Sequence, residues 1–436
     1  MSDSLLPLAM AALTLTGIMA GYRVGMVLAG AAALFILISD LPVAFFNLLV
    51  SRIYANVLSN WLLVAIPMFI MMGLILEMSG VAERSLRAAQ KALGGSAAGM
   101  GISVLVIGVL LAASSGIVGA SVVLLALLAL PRLAEAGYDK PTSAGLIAAS
   151  GTLAILIPPS VMLIVLGDQL QTPVPDMFAG AIGPGLMLVV AYGIYVIWKA
   201  RKLPFLPRES DVSYLKILFD LGPLLALVIS VLGSIVAGVA TPTEASGLGA
   251  FGAVLITLIY GRFSFTMLLG AATKTVIATS VVLFVMIGAT CFSAVFKGVG
   301  GADLVKAGVM AFGSDPFTVL AVVMGAIFVL GFVLDWLEIT LILIPIFAPI
   351  VAGLDFGNGL SGDALMIWFG VLVAVNLQTS FLTPPFGFSL FYLRGAAGDS
   401  LTTPQIYRGV LPFIALQVLV LVLLILFPGL ITGFTS

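Results

Sequence analysis

The stretch GTLAILIPPSVMLIVLGD, from Gly151 to Asp168, has a counterpart in LQTSFLTPPFGFSLFYLR, from Leu377 to Arg394. Each is an apolar run long enough to enter a bilayer, and each has a proline pair near its middle, Pro158-Pro159 and Pro384-Pro385. Proline removes a backbone donor and clashes with the carbonyl four residues earlier, so two prolines in a row unwind a turn of helix. The two stretches therefore predict two broken membrane helices.

The two proline pairs are separated by 384 − 158 = 226 positions, which is about half of the chain. Unwound backbone at membrane depth is tolerated only where it is buried in protein or lines a water-filled cavity. Broken helices at matching places in two halves of a chain are typical of the binding site of a secondary transporter. A kinked structural helix is the alternative interpretation of each pair.

The composition indicates a membrane protein. Of the 436 residues, 61% are hydrophobic and 8% are charged, whereas a soluble domain carries about 25% charged residues. A net charge of −1 argues against nucleic acid as a partner, since few cations could neutralise phosphates. The chain has no histidine, which excludes histidine zinc sites and Ser-His-Asp triads, and its single cysteine, Cys291, excludes an internal disulfide. No GxxxxGK[ST] motif for ATP hydrolysis is present.

The order of apolar segments predicts two repeats. The first occupies residues 1–202, with a hairpin at about 101–131 and a broken helix at about 141–168. A linker at 203–216, which the basic stretch from Lys199 to Lys216 places in the cytoplasm, joins it to the second repeat, residues 217–436, with a hairpin at about 317–351, a broken helix at about 364–394 and a last span from Val410 to Gly433. Basic residues flank the first hairpin and mostly acidic residues flank the second, so the positive-inside rule places them on opposite faces. The predicted fold class is an all-α polytopic membrane protein of two inverted repeats, each with a re-entrant hairpin and a broken helix.

Hydroxyl and amide side chains surround both breaks and supply the oxygen ligands that Na⁺ requires. The N-termini of the broken helices present free N–H groups to an anion. Serine and threonine are also common packing residues in membrane helices, which is the alternative for each hydroxyl. The candidate substrate- and ion-binding residues are Ser114, Ser115, Gly116, Ser121, Ser150, Gly151, Thr152, Pro158, Pro159, Asp335, Glu338, Thr340, Asn376, Gln378, Thr379, Ser380, Thr383, Pro384 and Pro385. The candidate Na⁺ ligands among them are Ser115, Thr152, Asp335, Thr379 and Thr383.

Asp335 and Glu338 stand three positions apart in an apolar segment, so they would share one face of a helix. A carboxylate at the bilayer centre costs at least ~2.5–3.5 kcal/mol, which cation coordination or protonation would offset. The alternative is a pair near the hairpin tip that only caps a helix. Arg394 is expected to anchor the cytoplasmic end of the second broken helix.

Several motifs resemble the large membrane subunit of TRAP transporters, the tripartite ATP-independent periplasmic family. The matching segments are GTLAILIPPS, AIPMFIMMG from Ala65, AGYDK from Ala136, ATPTEASGLGA from Ala240 and LTPPFG from Leu382. DWLEIT from Asp335, together with NLQTSFLTPPFG, is similar to the branch labelled mannitol or chloroaromatic-compound type.

The resemblance implies an elevator-type importer in the bacterial inner membrane, not an enzyme. It would take an organic acid from a periplasmic binding protein, would be driven by a Na⁺ gradient and would need no cofactor besides Na⁺. A separate small membrane subunit of about four helices is the expected second partner. The two carboxylates near the second hairpin tip depart from the commoner pattern, which leaves proton coupling open. The rival classes are a passive anion channel and an intramembrane aspartyl-type enzyme.

Overall fold

The computed structural model describes residues 5–42, 44–93, 95–115, 118–203, 213–357 and 359–435, except for the side chains of residues 114, 115 and 214. The helices of the first half are α1 (Leu5–Met19), α2 (Val24–Ile38), α3 (Phe45–Ile53), α4 (Ala65–Met78), α5 (Val81–Leu93), α6 (Ala97–Ser115), α7 (Val118–Glu135), α8 (Lys140–Thr152), α9 (Val161–Leu170) and α10 (Val174–Ala200).

The second half continues with α11 (Tyr214–Val236), α12 (Pro242–Ile259), α13 (Phe265–Gly298), α14 (Gly301–Met310), α15 (Pro316–Leu330), α16 (Trp336–Glu338), α17 (Ile344–Ala352), α18 (Gly362–Leu382), α19 (Phe388–Ala397), α20 (Thr403–Leu426) and α21 (Gly429–Thr432). A π-helical turn, Ile339–Leu343, joins α16 to α17. Within the described residues, eight helices are long and apolar enough to cross a membrane. The prediction of an all-α polytopic membrane protein is confirmed.

The two halves pack in matching pairs. Helix α2 packs along α13, and α4 packs along α12. Helix α7 contacts α8 of its own half and α19 of the other half, while α17 contacts α18 of its own half and α9 of the other. The first hairpin consists of α6 and α7, and the second of α15 to α17. Each hairpin therefore lies against the first part of one broken helix and the second part of the other.

The motif ATPTEA has a local structural reason. Thr241 is the N-cap of α12: its hydroxyl accepts a hydrogen bond from the Glu244 backbone N–H at 3.3 Å, and the Glu244 carboxylate accepts one from the Thr241 N–H at 2.9 Å. This reciprocal capping box satisfies two N–H groups that a helix start leaves free. A second capping box, Thr402 with Gln405, begins α20. The last long helix therefore starts at Thr403, not at Val410, because the capped first turn is polar and hydropathy alone misses it.

Small residues bring α8 and α20 together. A Cβ on Gly145 would overlap the carbonyl oxygen of Gly409, and a Cβ on Gly409 would overlap that of Pro141. Such close backbone approach is how helices associate in membranes, where lipid removes the usual hydrophobic driving force. The contact fixes the first broken helix against the last long helix of the chain.

Candidate functional site

Both proline pairs interrupt a helix. The first break lies between α8, which is followed by a 3₁₀ turn at Leu153–Ile155, and α9, which begins at Val161. The second lies between α18, which ends at Leu382, and α19, which begins at Phe388. Both Pro-Pro peptide bonds are cis. Asp168, the last residue of the predicted broken helix, lies inside α9, where its carboxylate accepts a hydrogen bond from the Asn60 side chain at 2.7 Å.

A serine hydroxyl forms a hydrogen bond across each break. The Ser160 hydroxyl donates to the Ile155 carbonyl at 2.8 Å, and the Ser389 hydroxyl donates to the Phe381 carbonyl at 2.7 Å. These carbonyls are four residues before Pro159 and Pro385, which have no N–H to offer them. The two carbonyls are also at equivalent positions, since 381 − 155 = 226. Neither serine is among the candidate residues from the sequence, although a hydroxyl within five positions after each proline pair is the signal that could have found them.

The two broken helices meet at equivalent positions. The Gln378 side-chain amide donates to the Thr152 hydroxyl at 3.4 Å, across a sequence separation of 226 residues. The Thr152 hydroxyl donates in turn to the Ala149 carbonyl at 2.9 Å. Both side chains are fully buried. This contact therefore joins the two repeats at the centre of the candidate site.

Each hairpin packs on the first part of its own broken helix at another equivalent pair, Ser150 and Asn376. A Cβ on Gly108 of α6 would lie 2.6 Å from the Ser150 Cβ, so this arm approaches α8 closely. The Asn376 side chain donates to the Met324 carbonyl of α15 at 2.8 Å. Gly151 packs against Val122 of α7. The predicted residues Ser150, Gly151 and Asn376 are thus brought to the contacts between hairpins and broken helices.

The first hairpin also contacts the second repeat. A Cβ on Gly119 of α7 would lie 2.8 Å from Cζ of Tyr392 in α19, so the tyrosine ring covers this end of the hairpin. Ser121 is buried in the same helix. Gly116 and the side chains of Ser114 and Ser115 lie outside the described residues. Their predicted roles remain predictions.

Two carboxylates lie at the start of the short helix α16, at the tip of the second hairpin. Asp335 precedes α16 as its N-cap, and its carboxylate accepts a hydrogen bond from the Trp336 N–H at 2.8 Å. Glu338 lies inside α16 and is buried. Helix α16 begins only after Asp335, so Asp335 lies just ahead of the helix and Glu338 lies three positions later in the same first turn. Asp335 does cap a helix, as the alternative interpretation proposed.

Three side-chain oxygens in this region are buried without a hydrogen-bond partner among the described residues: Ser150 Oγ, Gln378 Oε1 and Glu338 Oε2. Buried polar groups are ordinarily paired, so these three oxygens are available to accept a contact from an ion or a donor. The neighbouring hydroxyls donate to carbonyls of their own helix: Thr379 to Val375, Ser380 to Leu377, Thr383 to Thr379 and Thr340 to Trp336. Each of these hydroxyl oxygens keeps lone pairs for a cation.

A small cavity of about 130 Å³ lies where α13, the end of α9 and the second hairpin approach each other. Arg52 and Lys297 supply two cations to its lining, and Asn56, Gln169, Thr290 and Ser293 supply amides and hydroxyls. Such donors match a carboxylate. This set is not apparent from the sequence, because Arg52 and Lys297 are 245 positions apart (297 − 52) and each resembles a boundary residue.

Arg394 does not face this region. Its guanidinium donates to the carbonyls of Gly398 and Leu401, so it closes the chain turn after α19. Crossed hairpins and broken helices at matching places in two halves of a chain are typical of membrane transport proteins.

Comparison with known proteins gives the family. Residues 8–430 match the model of the tripartite ATP-independent periplasmic transporter, DctM component. The chain is 31% identical over 372 residues to the ectoine TRAP transporter large permease TeaC of Halomonas elongata, covering 84% of each chain. It is 29% identical over 380 residues to the C4-dicarboxylate large permease DctM of Pseudomonas aeruginosa, covering 85% of each. The chain therefore belongs to the DctM family of TRAP transporter large permeases, which are transport subunits of the bacterial inner membrane and not enzymes.

Two further similarities bear on the length and the fold. The isethionate TRAP permease DctMQ of Oleidesulfovibrio alaskensis is 28% identical over 380 residues, and the chain spans 58% of that protein's length. The crystal structure of the YdaH transporter of Alcanivorax borkumensis superposes with a TM-score of 0.65 over 92% of this chain and 91% of that one, at 16% identity. The similarity to YdaH establishes only the fold.

Proposed function

We propose that the protein is the permease subunit of a secondary importer that couples the uptake of a small organic anion to a Na⁺ gradient. The observation that supports this most is the set of buried, unpaired oxygens, Ser150 Oγ, Gln378 Oε1 and Glu338 Oε2, in the region where hairpins and broken helices meet. Hard cations take oxygen ligands, and neutral amide and hydroxyl oxygens suit a monovalent ion. The candidate Na⁺ ligands Thr152, Thr379 and Thr383 retain lone pairs for this role.

Proton coupling is the second candidate, and one observation favours it. Glu338 is a buried carboxylate with an unpaired oxygen, and intramembrane carboxylates are the usual carriers in proton relays. The two candidates differ in what drives uptake. A Na⁺ site needs several oxygen ligands together, whereas a proton carrier needs only the carboxylate.

The cargo would be an organic anion. The cations Arg52 and Lys297 line a cavity beside the second hairpin, and the N-termini of α9 and α19 lie at the breaks. The names of the relatives fit this, since they include transporters of C4-dicarboxylate, isethionate and 2,3-diketo-L-gulonate. The mannitol or chloroaromatic-compound branch stays a prediction.

The partners would be a periplasmic substrate-binding protein and a small membrane subunit, as the tripartite family name implies. In an elevator mechanism, the crossed hairpins and broken helices would move as one body against the α2–α13 and α4–α12 pairs. The anion would then cross the membrane with the moving body.

Reconstitution into proteoliposomes with the matching binding protein and small subunit tests the proposal. An inward Na⁺ gradient should accumulate the labelled organic acid against its own gradient, and a proton gradient alone should not. Uptake that follows only the proton gradient would support the second candidate. Uptake that never exceeds equilibrium under either gradient would indicate a passive channel.

A further inference from the structure

A cavity of about 410 Å³ lies between α5, the start of α11 and the turn after α12, and none of its lining residues belongs to a broken helix. Its basic lining residues are Arg84, Arg87, Lys91, Lys216 and Arg262, and its acidic ones are Glu83 and Asp220. Five cations against two carboxylates leave a positive excess in a concave site. Such a site favours an anion.

The acidic residues hold two of the arginines in place. Arg84 pairs with Asp220 at 2.6 Å and stacks over the Tyr260 ring, with its Cζ 4.4 Å from the ring centroid. Arg87 pairs with Glu83 along α5. Among the described residues, Lys216 and Arg262 have no acidic partner. These two exposed cations are therefore available to a ligand at the mouth of the cavity.

Apolar side chains adjoin the same mouth. Leu215 is 81% exposed and Leu218 is 68% exposed at the start of α11, and Phe263 is exposed next to Arg262. In a membrane protein such side chains meet lipid hydrocarbon. A ligand that satisfies both surfaces is therefore an amphiphile with an anionic headgroup and acyl chains.

We propose that this cavity binds the phosphate of an anionic phospholipid, with Lys216 and Arg262 as its principal contacts. The cavity would hold the phosphate and glycerol, and the acyl chains would lie along α11. Basic pockets beside membrane helices bind lipid headgroups in this way. The site is independent of the transport site, so its failure would leave the proposed function untouched.

Native mass spectrometry of the purified full chain in detergent tests the proposal. The probes are phosphatidylglycerol, zwitterionic phosphatidylcholine and water-soluble glycerol phosphate. The test variant is Lys216→Gln with Arg262→Gln. The matched control is Lys202→Gln with Arg201→Gln, which removes the same two charges from exposed residues after α10 that are not part of the lining.

We expect phosphatidylglycerol to bind in preference to phosphatidylcholine, and the test variant to weaken it on the order of tenfold while the control does not. If glycerol phosphate binds as tightly as the lipid and the test variant weakens it equally, the site binds a soluble phosphate. That result would overturn the lipid assignment. Equal lipid binding by the test variant and wild type, or equal losses in test and control, would overturn the proposal. If the double variant does not fold, the two single variants, each with its single control, are compared in the same way.

Discussion

Ser160 and Ser389 supply the hydrogen-bond donors that the proline pairs remove. Each hydroxyl reaches back over a break to a carbonyl that no backbone N–H can satisfy. A buried carbonyl without a donor costs more than an ordinary hydrogen bond contributes, because its desolvation is not offset. The missing proline N–H groups therefore cause each break, and the hydroxyl of Ser160 or Ser389 stabilises it.

Replacing either serine should destabilise the protein. We expect Ser160→Ala and Ser389→Ala each to cost about 1–3 kcal/mol, measured as a lowered thermal midpoint in detergent. Ser246→Ala is the control, because its buried hydroxyl donates to the Thr243 carbonyl inside the continuous helix α12, where a backbone N–H also serves that carbonyl. Equal effects at all three serines would show that the breaks have no special need of the hydroxyl.

Asp335 permits a clean test of charge at the second hairpin tip. Asparagine caps a helix as well as aspartate does, so Asp335→Asn keeps the cap on α16 and removes only the charge. If the carboxylate coordinates Na⁺, the variant should need several-fold more Na⁺ for half-maximal uptake, at unchanged protein level. Asp315→Asn is the control, since Asp315 caps α15 of the same hairpin.

An unchanged Na⁺ dependence in Asp335→Asn would remove this residue from the ion site. If Glu338 instead carries a proton, Glu338→Gln should bind the organic acid without accumulating it, and wild-type uptake should follow the pH gradient.

At the scale of whole elements, the breaks in α8–α9 and α18–α19 create the surfaces on which the hairpins pack. The proline pairs explain both interruptions locally. Ser160 and Ser389 then donate to the carbonyls that the prolines leave without a backbone donor. Continuous helices would bury the backbone groups at the breaks in ordinary helical hydrogen bonds.

Replacing Pro158-Pro159 or Pro384-Pro385 by Ala-Ala should allow the helices to close. We expect nearly complete loss of transport with normal membrane insertion. The matched control is Pro184→Ala with Pro412→Ala, two prolines that lie inside the unbroken helices α10 and α20. Transport retained by both double variants would show that the breaks are structural only.

The broken helices and the repeat can be predicted from the sequence because their causes are local. The proline pairs, the apolar runs and the duplicated order of segments are all visible without tertiary contacts. Other features of the site cannot be predicted in this way, because they bring together residues that are distant in the sequence. The Gln378–Thr152 hydrogen bond and the cavity with Arg52 and Lys297 follow from packing between distant elements, not from spacing.

At the scale of the whole molecule, two halves with matching helix pairs meet through crossed hairpins. The positive-inside rule gives the halves opposite orientations, because Lys91, Arg132 and Lys140 flank the first hairpin while acids dominate around the second. Inverted repeats of this kind are one common architecture of transporters that alternate access between the two sides of a membrane.

Cysteine labelling tests that orientation. In a Cys291→Ser background, Ala134→Cys in the last turn of α7 and Ser361→Cys before α18 place single thiols at exposed positions beside the two hairpins. An impermeant maleimide should label them from opposite sides of the membrane. Labelling of both from the same side would contradict the inverted repeats.

Binding of Na⁺ to the purified protein tests the central claim most directly. Calorimetric titration with Na⁺, against K⁺ as the control ion, should show selective Na⁺ binding to the wild-type protein. Ser150→Ala and Gln378→Leu, which remove two of the unpaired oxygens, should each weaken that binding about tenfold or more, since hydrogen bonds or contacts to a charge contribute about 1.5–3 kcal/mol each. Gln171→Leu, at an exposed residue after α9, should bind as the wild type does. No binding by the wild type, or equal Na⁺ affinity in all four proteins, would contradict the account.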